Sequence, residues 1–156
     1  MSRIVICLFV LLAALAPAAD ARPRLDGGER ALLGALNDAR AQHGLGRLKA
    51  SVPLSRAADA HTRDMLAHDF FDHASSDGKS FDRRIRRFTD ASMLGETLAQ
   101  TSQRRGGAAM IVQMWLDSPP HRAIVLEPRF RKVGLARRWG TLGAAGRAVV
   151  TADFAR

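Results

Sequence analysis

The sequence predicts an α+β fold, with helices packed on a small, mostly antiparallel sheet. Apolar residues recur at three- and four-residue steps through much of the chain, whereas its end carries two Val-containing apolar runs joined by a glycine-rich stretch. No internal repeat interrupts this order, so helices come first and strands last rather than alternating with them.

The 156-residue chain opens with Arg3, runs apolar from Ile4 to Leu15 and reaches the small-residue pattern Ala19-Asp20-Ala21. That is the layout of a cleavable export signal, with Ala16-Pro17-Ala18 as a second cleavage candidate. Residues 1–21 are therefore read as a signal peptide, 22–28 as a short arm and 29–155 as a single domain. No later apolar run is long enough to span a bilayer, so a product without a transmembrane anchor is expected in the periplasm or the medium.

Glu29 to His43 places Leu32, Leu33, Leu36 and Ala39 at helical spacing, with Asp26 as a cap and Gly44 as a stop. Residues 45–53 form a connection. A second helix carries Leu54, Ala57, Ala58, His61, Met65 and His68 at three- and four-residue steps, with Pro53 near its start. Asp69 to Ser80 is crowded with Asp, Ser and Gly and reads as a loop anchored by Phe70 or Phe71. Phe81 to Phe88 is a short basic helix with Phe81, Ile85 and Phe88 on one side and its four arginines expected in solvent.

Met93 to Gln100 is a strand or an irregular extended segment. An apolar helix from Ala108 to Leu116 follows Gly106-Gly107 and stops at Asp117-Ser118-Pro119-Pro120, where Ser118 caps a further turn or two reaching Leu126. Lys132–Ala136 and Ala148–Phe154 are two strands joined through a glycine-rich turn, and form a hairpin.

The net charge is +9, of which +3 falls in residues 22–90 and +6 in residues 91–156. Lysine occurs only at Lys49, Lys79 and Lys132, so the charge is carried by arginine, which suits bidentate contacts to phosphate or carboxylate. On an exported protein this favours anionic envelope polymers or lipid headgroups over genomic nucleic acid. The basic stretches also lack interleaved aromatics that could stack bases.

The one cysteine, Cys7, lies within the signal, so the mature chain would have no disulfide, no Cys-type zinc cage and no thiol nucleophile. The G-x-S-x-G, Walker and H-E-x-x-H signatures are absent. Five histidines and one conspicuous acid remain. Glu96 stands in the apolar setting Leu94-Gly95-Glu96-Thr97-Leu98, where a carboxylate needs a partner or a raised pKa. His73 lies in a loop, where a side chain can be aimed freely. His61 and His68 read as core or boundary residues, and His43 as a helix-end residue that favours the dipole.

Taken together, the motifs resemble the CAP superfamily of cysteine-rich secretory, antigen 5 and pathogenesis-related proteins, in its compact bacterial form. They are Leu36-Asn37-x-x-Arg40 with Gly44-Leu45 and Leu48, Leu54-x-x-Ala57-Ala58-x-x-His61-x-x-Asp64-Met65, Phe71-x-His73 with Asp77-Gly78-Lys79-Ser80, Gly95-Glu96, Trp115-x-x-Ser118-Pro119-x-His121-Arg122 and Phe130-x-x-Val133-Gly134-Leu135. The resemblance implies an α-β-α sandwich whose cavity is lined by His73, Glu96, His121, Ser118 and Thr97. It also implies that His73, His121 and Glu96 can hold a divalent metal such as zinc. Ser118 stands where many eukaryotic relatives carry a second glutamate, Thr97 replaces an asparagine that usually follows Gly-Glu, and the extracellular cysteines are absent.

Two functions follow from the resemblance. One is a secreted module binding a lipid, a sterol or an envelope ligand. The other is a metal-assisted hydrolase of peptide or envelope bonds, with Glu96 as ligand or general base. One carboxylate does not comfortably do both jobs, so binding is favoured over catalysis.

Overall fold

The computed structural model describes residues 24–102 and 107–156; the signal-peptide reading falls on residues outside these. Five helices and four strands are present among the described residues: α1 Gly27–Gln42, β1 Lys49–Ala50, α2 Val52–Ala67, α3 Phe81–Ile85, β2 Leu94–Thr101, α4 Ala108–Asp117, α5 Pro119–Val125, β3 Lys132–Leu142 and β4 Ala145–Ala155.

α1 starts two residues before Glu29 because Asp26 and Glu29 form a reciprocal capping box, in which each side chain accepts the other's backbone N–H, at 2.8 and 2.9 Å. The 45–53 connection contains β1, which the sequence pattern misses because two residues show no period. Asn37 locks that connection: its Oδ1 accepts from Leu48 N at 2.7 Å and its Nδ2 donates to Leu48 O at 3.2 Å. Arg40 is fully buried and donates to the carbonyls of Gly46, Val125 and Glu127, so these two motif residues tie loops together rather than serve a site.

The sheet order is β1-β3-β4-β2, with β1–β3 parallel and the other two pairs antiparallel. The β3–β4 hairpin extends beyond both expected strands, to a two-residue turn at Gly143-Ala144. Gly143 takes φ +60 there, as the first central residue of a type II′ turn requires.

Strand alternation divides the sheet residues between two layers. Ala99, Val150, Ala152 and Phe154 pack into the main core with Leu32 and Leu36 of α1 and Ile111 and Trp115 of α4. The opposite face meets α2, where Met65 joins Leu98 and Val149, and the hydroxyls of Thr62 and Thr151 are hydrogen-bonded at 2.8 Å. The result is an α-β-α sandwich with β2 at one sheet edge. Gly134 is what allows α2 to sit so close: a Cβ there would lie 2.0 Å from the Leu54 carbonyl carbon.

Candidate functional site

Glu96 is the centre of the candidate site. Its place on β2 opposite Asp153 of β4 buries the carboxylate, which is 1% exposed. Oε1 accepts a hydrogen bond from His73 Nδ1 at 2.8 Å, and Oε2 is paired with the guanidinium of Arg84. Burial pushes the Glu96 carboxyl up, but the His73 hydrogen bond and the Arg84 charge more than offset it and hold it below the usual carboxylate range.

Arg84 corrects the expectation that all four α3 arginines face solvent. Arg83, Arg86 and Arg87 are exposed, whereas Arg84 is 5% exposed. The signal was available: positions 81, 84, 85 and 88 make one helical stripe, and Arg84 lies on it with Phe81, Ile85 and Phe88.

The loop that carries His73 is fastened to α2. His61 is fully buried and its Nε2 donates to Asp72 O at 2.9 Å, while Asp64 accepts from both Ser76 N and Ser76 Oγ, at 2.9 and 2.6 Å. Burial lowers the His61 pKa, which keeps the ring neutral. His61 is thus the packed histidine expected, and it serves the site by holding the backbone one residue before His73. His68 is not a core residue: it is exposed and pairs with Asp64 at 2.8 Å. His43 caps the end of α1, its Nδ1 donating to Ala39 O at 2.8 Å.

His121 comes from the first turn of α5. Ser118 has extended backbone, φ −96 and ψ 112, and ends α4, so α5 starts in a new direction with Pro119. Its side chain makes no capping hydrogen bond, contrary to the expected cap; the first turn is closed by the backbone bond from Arg122 N to Ser118 O. The His121 and His73 ring centres are 6.1 Å apart.

Phe71, Asp72, His73, Leu98 and His121 line a cleft of about 210 Å³ at the β2 edge. Glu96, Ser118 and Thr97, expected to line it, are not in its wall. Thr97 follows Glu96 on the strand and so points to the opposite face of the sheet, where it is fully buried and its Oγ1 has no hydrogen-bond partner.

A carboxylate can only accept, so His73 Nδ1 carries a proton and Nε2 is left for the cleft. The Glu96 bond raises the His73 pKa, with burial opposing it; burial and the nearby His73 lower that of His121. Both Glu96 oxygens are already engaged, so Glu96 orients His73 rather than standing as a third ligand. Among the described residues no group of three His, Cys, Asp or Glu side chains is arranged to hold a metal ion.

Asp153 is a further buried acid, fully enclosed beside Glu96. Burial, then the charge of Glu96, pushes its carboxyl well above the ordinary range. The pattern of alternating strand residues pairs these two acids only once the β2–β4 register is known.

Comparison with known proteins agrees with this architecture. The family model described as CAP, the cysteine-rich secretory protein family, matches residues 33–151. The uncharacterized protein YkwD of Bacillus subtilis is 29% identical over 108 residues, covering 69% of this chain and 41% of its own length. An extracellular SCP-domain protein of Bacillus anthracis superposes with TM-score 0.66 at 26% identity, over 81% of this chain and 39% of its own. An outer surface protein of Borrelia burgdorferi shares the fold with TM-score 0.71 at 18% identity, over 85% of this chain and 96% of its own. The chain thus spans about two fifths of the length of the two Bacillus relatives.

Proposed function

The chain belongs to the CAP, or cysteine-rich secretory protein, family, and from that premise we propose that it is an exported binding module whose His73–His121 cleft takes the polar group of a lipid or cell-envelope ligand. The observation that carries the reading is the Glu96–His73 hydrogen bond at 2.8 Å, which fixes one imidazole with its second nitrogen toward a cleft that His121 also lines. Phe71 and Leu98 give that cleft apolar walls. At about 210 Å³ it is smaller than the roughly 300–1,000 Å³ that encloses a whole small-molecule ligand. It therefore suits a headgroup, with the body of a lipid or sterol lying outside.

The two imidazoles also offer a divalent cation such as zinc a partial donor set, to be completed by solvent or by the ligand. Two imidazoles with ring centres 6.1 Å apart are near enough to share one ion, and Glu96 supplies the outer carboxylate that orients His73. Such an ion would supply a Lewis-acidic centre for an anionic or carbonyl oxygen of the ligand. Export is supported by the signal-like first twenty-one residues and by relatives described as extracellular or outer surface proteins. No described helix is long and apolar enough to cross a membrane.

The hydrolase reading stands second. Asp153 is the second acid it needs, but it is completely buried and does not line the cleft.

Zinc titration of protein purified without affinity-tag metal tests the dyad, alongside His73→Ala and His121→Ala variants. Each variant is expected to lose most of the affinity; equal binding by all three would remove the metal from the reading. Mass spectrometry of organic extracts of the native protein tests the ligand class. Repeated absence of any co-purifying lipid or envelope compound would overturn the ligand part.

A further inference from the structure

Arg84 also lines a second cleft, of about 350 Å³, that shares no residue with the His73–His121 cleft. It opens between α2, the 75–79 loop and the end of α3. Only Nη2 of Arg84 is committed to Glu96; Nε and Nη1 are buried without a hydrogen-bond partner. Buried guanidinium donors left unsatisfied are costly, more so than neutral ones. His61, in the same wall, donates through Nε2 to Asp72, which leaves Nδ1 as a buried acceptor without a partner. Two residues of one wall thus carry buried polar atoms that the protein itself leaves unsatisfied.

The two acids at this cleft are already engaged. Asp64 accepts twice from Ser76, and Asp77 is paired with Lys79. With Arg84 paired to Glu96 and Lys79 to Asp77, Arg87 adds further positive charge to the wall, and Arg83 and Arg86 of the same segment lie exposed. The volume falls within the range of small-molecule sites and exceeds what a bare oxyanion needs. Ser75 offers a hydroxyl and Phe88 a ring face to whatever body carries the anion.

We propose that this cleft binds an oxyanion, phosphate or carboxylate, borne on a hydroxylated body, with Arg84 and Arg87 taking the anion and His61 accepting from a hydroxyl. Arginine is the residue suited to such planar recognition. The two clefts share no lining residue, and Arg87 lies outside the Arg84–Glu96–His73 chain of contacts, so Arg87→Ala tests this reading separately from the metal and lipid readings.

The test is an amide-resolved NMR titration of the purified protein with glycerol 3-phosphate, with glycerate as the carboxylate counterpart and glycerol as the neutral control. Saturable shifts at Ser75 to Lys79 and at Arg87 are expected with at least one of the anions and not with glycerol; which anion binds tighter identifies the group. Arg87→Ala, at an exposed position, is expected to weaken binding about tenfold, the loss of one charge-assisted contact. Arg84→Met is expected to abolish it, and if that variant fails to fold, Arg87→Ala decides. The proposal is overturned if neither anion gives saturable shifts, if glycerol binds as well as the anions, or if Arg87→Ala binds like wild type.

Discussion

Arg84 and Glu96 form an ion pair in which both side chains are buried, 6% and 0% exposed. Removing one partner strands the other charge away from water. Arg84→Met and Glu96→Gln are each expected to lower stability by about 3–5 kcal/mol, whereas the double variant loses much less than the sum. Urea unfolding of the four proteins measures this; additive losses would show that the two groups do not act as a pair.

On the proposed metal reading, the raised His73 pKa would give zinc binding a pH dependence. A metal at Nε2 must displace the proton that Glu96 helps to retain, so affinity is low while His73 is charged and rises as pH climbs through its elevated pKa. Zinc affinity is expected to grow by about tenfold per pH unit below that point and to level off above it. In Glu96→Gln the levelling should move to lower pH. An unmoved profile would separate Glu96 from the His73 titration.

Asp153 gives the opposite kind of pH effect from a paired carboxylate. Its folded-state pKa lies well above the unfolded value, so the folded protein holds a proton that the unfolded chain releases. Its contribution is fully present below the unfolded value of about 4 and is lost as pH rises toward the folded one. Asp153→Asn, which keeps the shape and cannot ionise, is expected to match or exceed wild-type melting temperature at neutral pH, with the advantage shrinking as pH falls. A large loss at neutral pH would mean that Asp153 works as an anion.

Two glycines should respond in opposite directions to alanine. A Cβ on Gly134 would sit 2.0 and 2.2 Å from backbone atoms of Leu54 and Ser55, so Gly134→Ala must push α2 off β3, at a cost of about 1–3 kcal/mol or more. Gly34, inside α1, has nothing within 4 Å of the same position, and Gly34→Ala should gain about 0.5–1 kcal/mol in helix stability. Thermal melts of both variants check the contrast, and a tolerated Gly134→Ala would refute the close approach.

Legibility in the sequence tracked how local the determining force is. α2 and α4 were readable because their apolar residues repeat at the helical period over several turns. Two-residue β1 was not, since its existence depends on β3 lying parallel beside it. Arg84 reads as a solvent residue from its charge, although its position lies on the Phe81–Ile85–Phe88 stripe. The resemblance implies a place for Thr97 in the cavity, whereas Thr97 follows Glu96 on a strand and neighbours on a strand point to opposite faces.

By itself the sequence determined the fold class, the helices, the terminal hairpin, and that His73, Glu96 and His121 are the residues to compare, because each rests on local periodicity or on motif order along the chain. Tertiary structure alone decided how those residues meet. Both oxygens of Glu96 go to His73 and Arg84, burial raises the Asp153 pKa behind it, and Arg84 keeps two buried donors without a partner. The physical reason is that burial and pairing belong to the packed arrangement: a carboxylate's partners are set by strand register and helix docking, which bring side chains dozens of residues apart into contact.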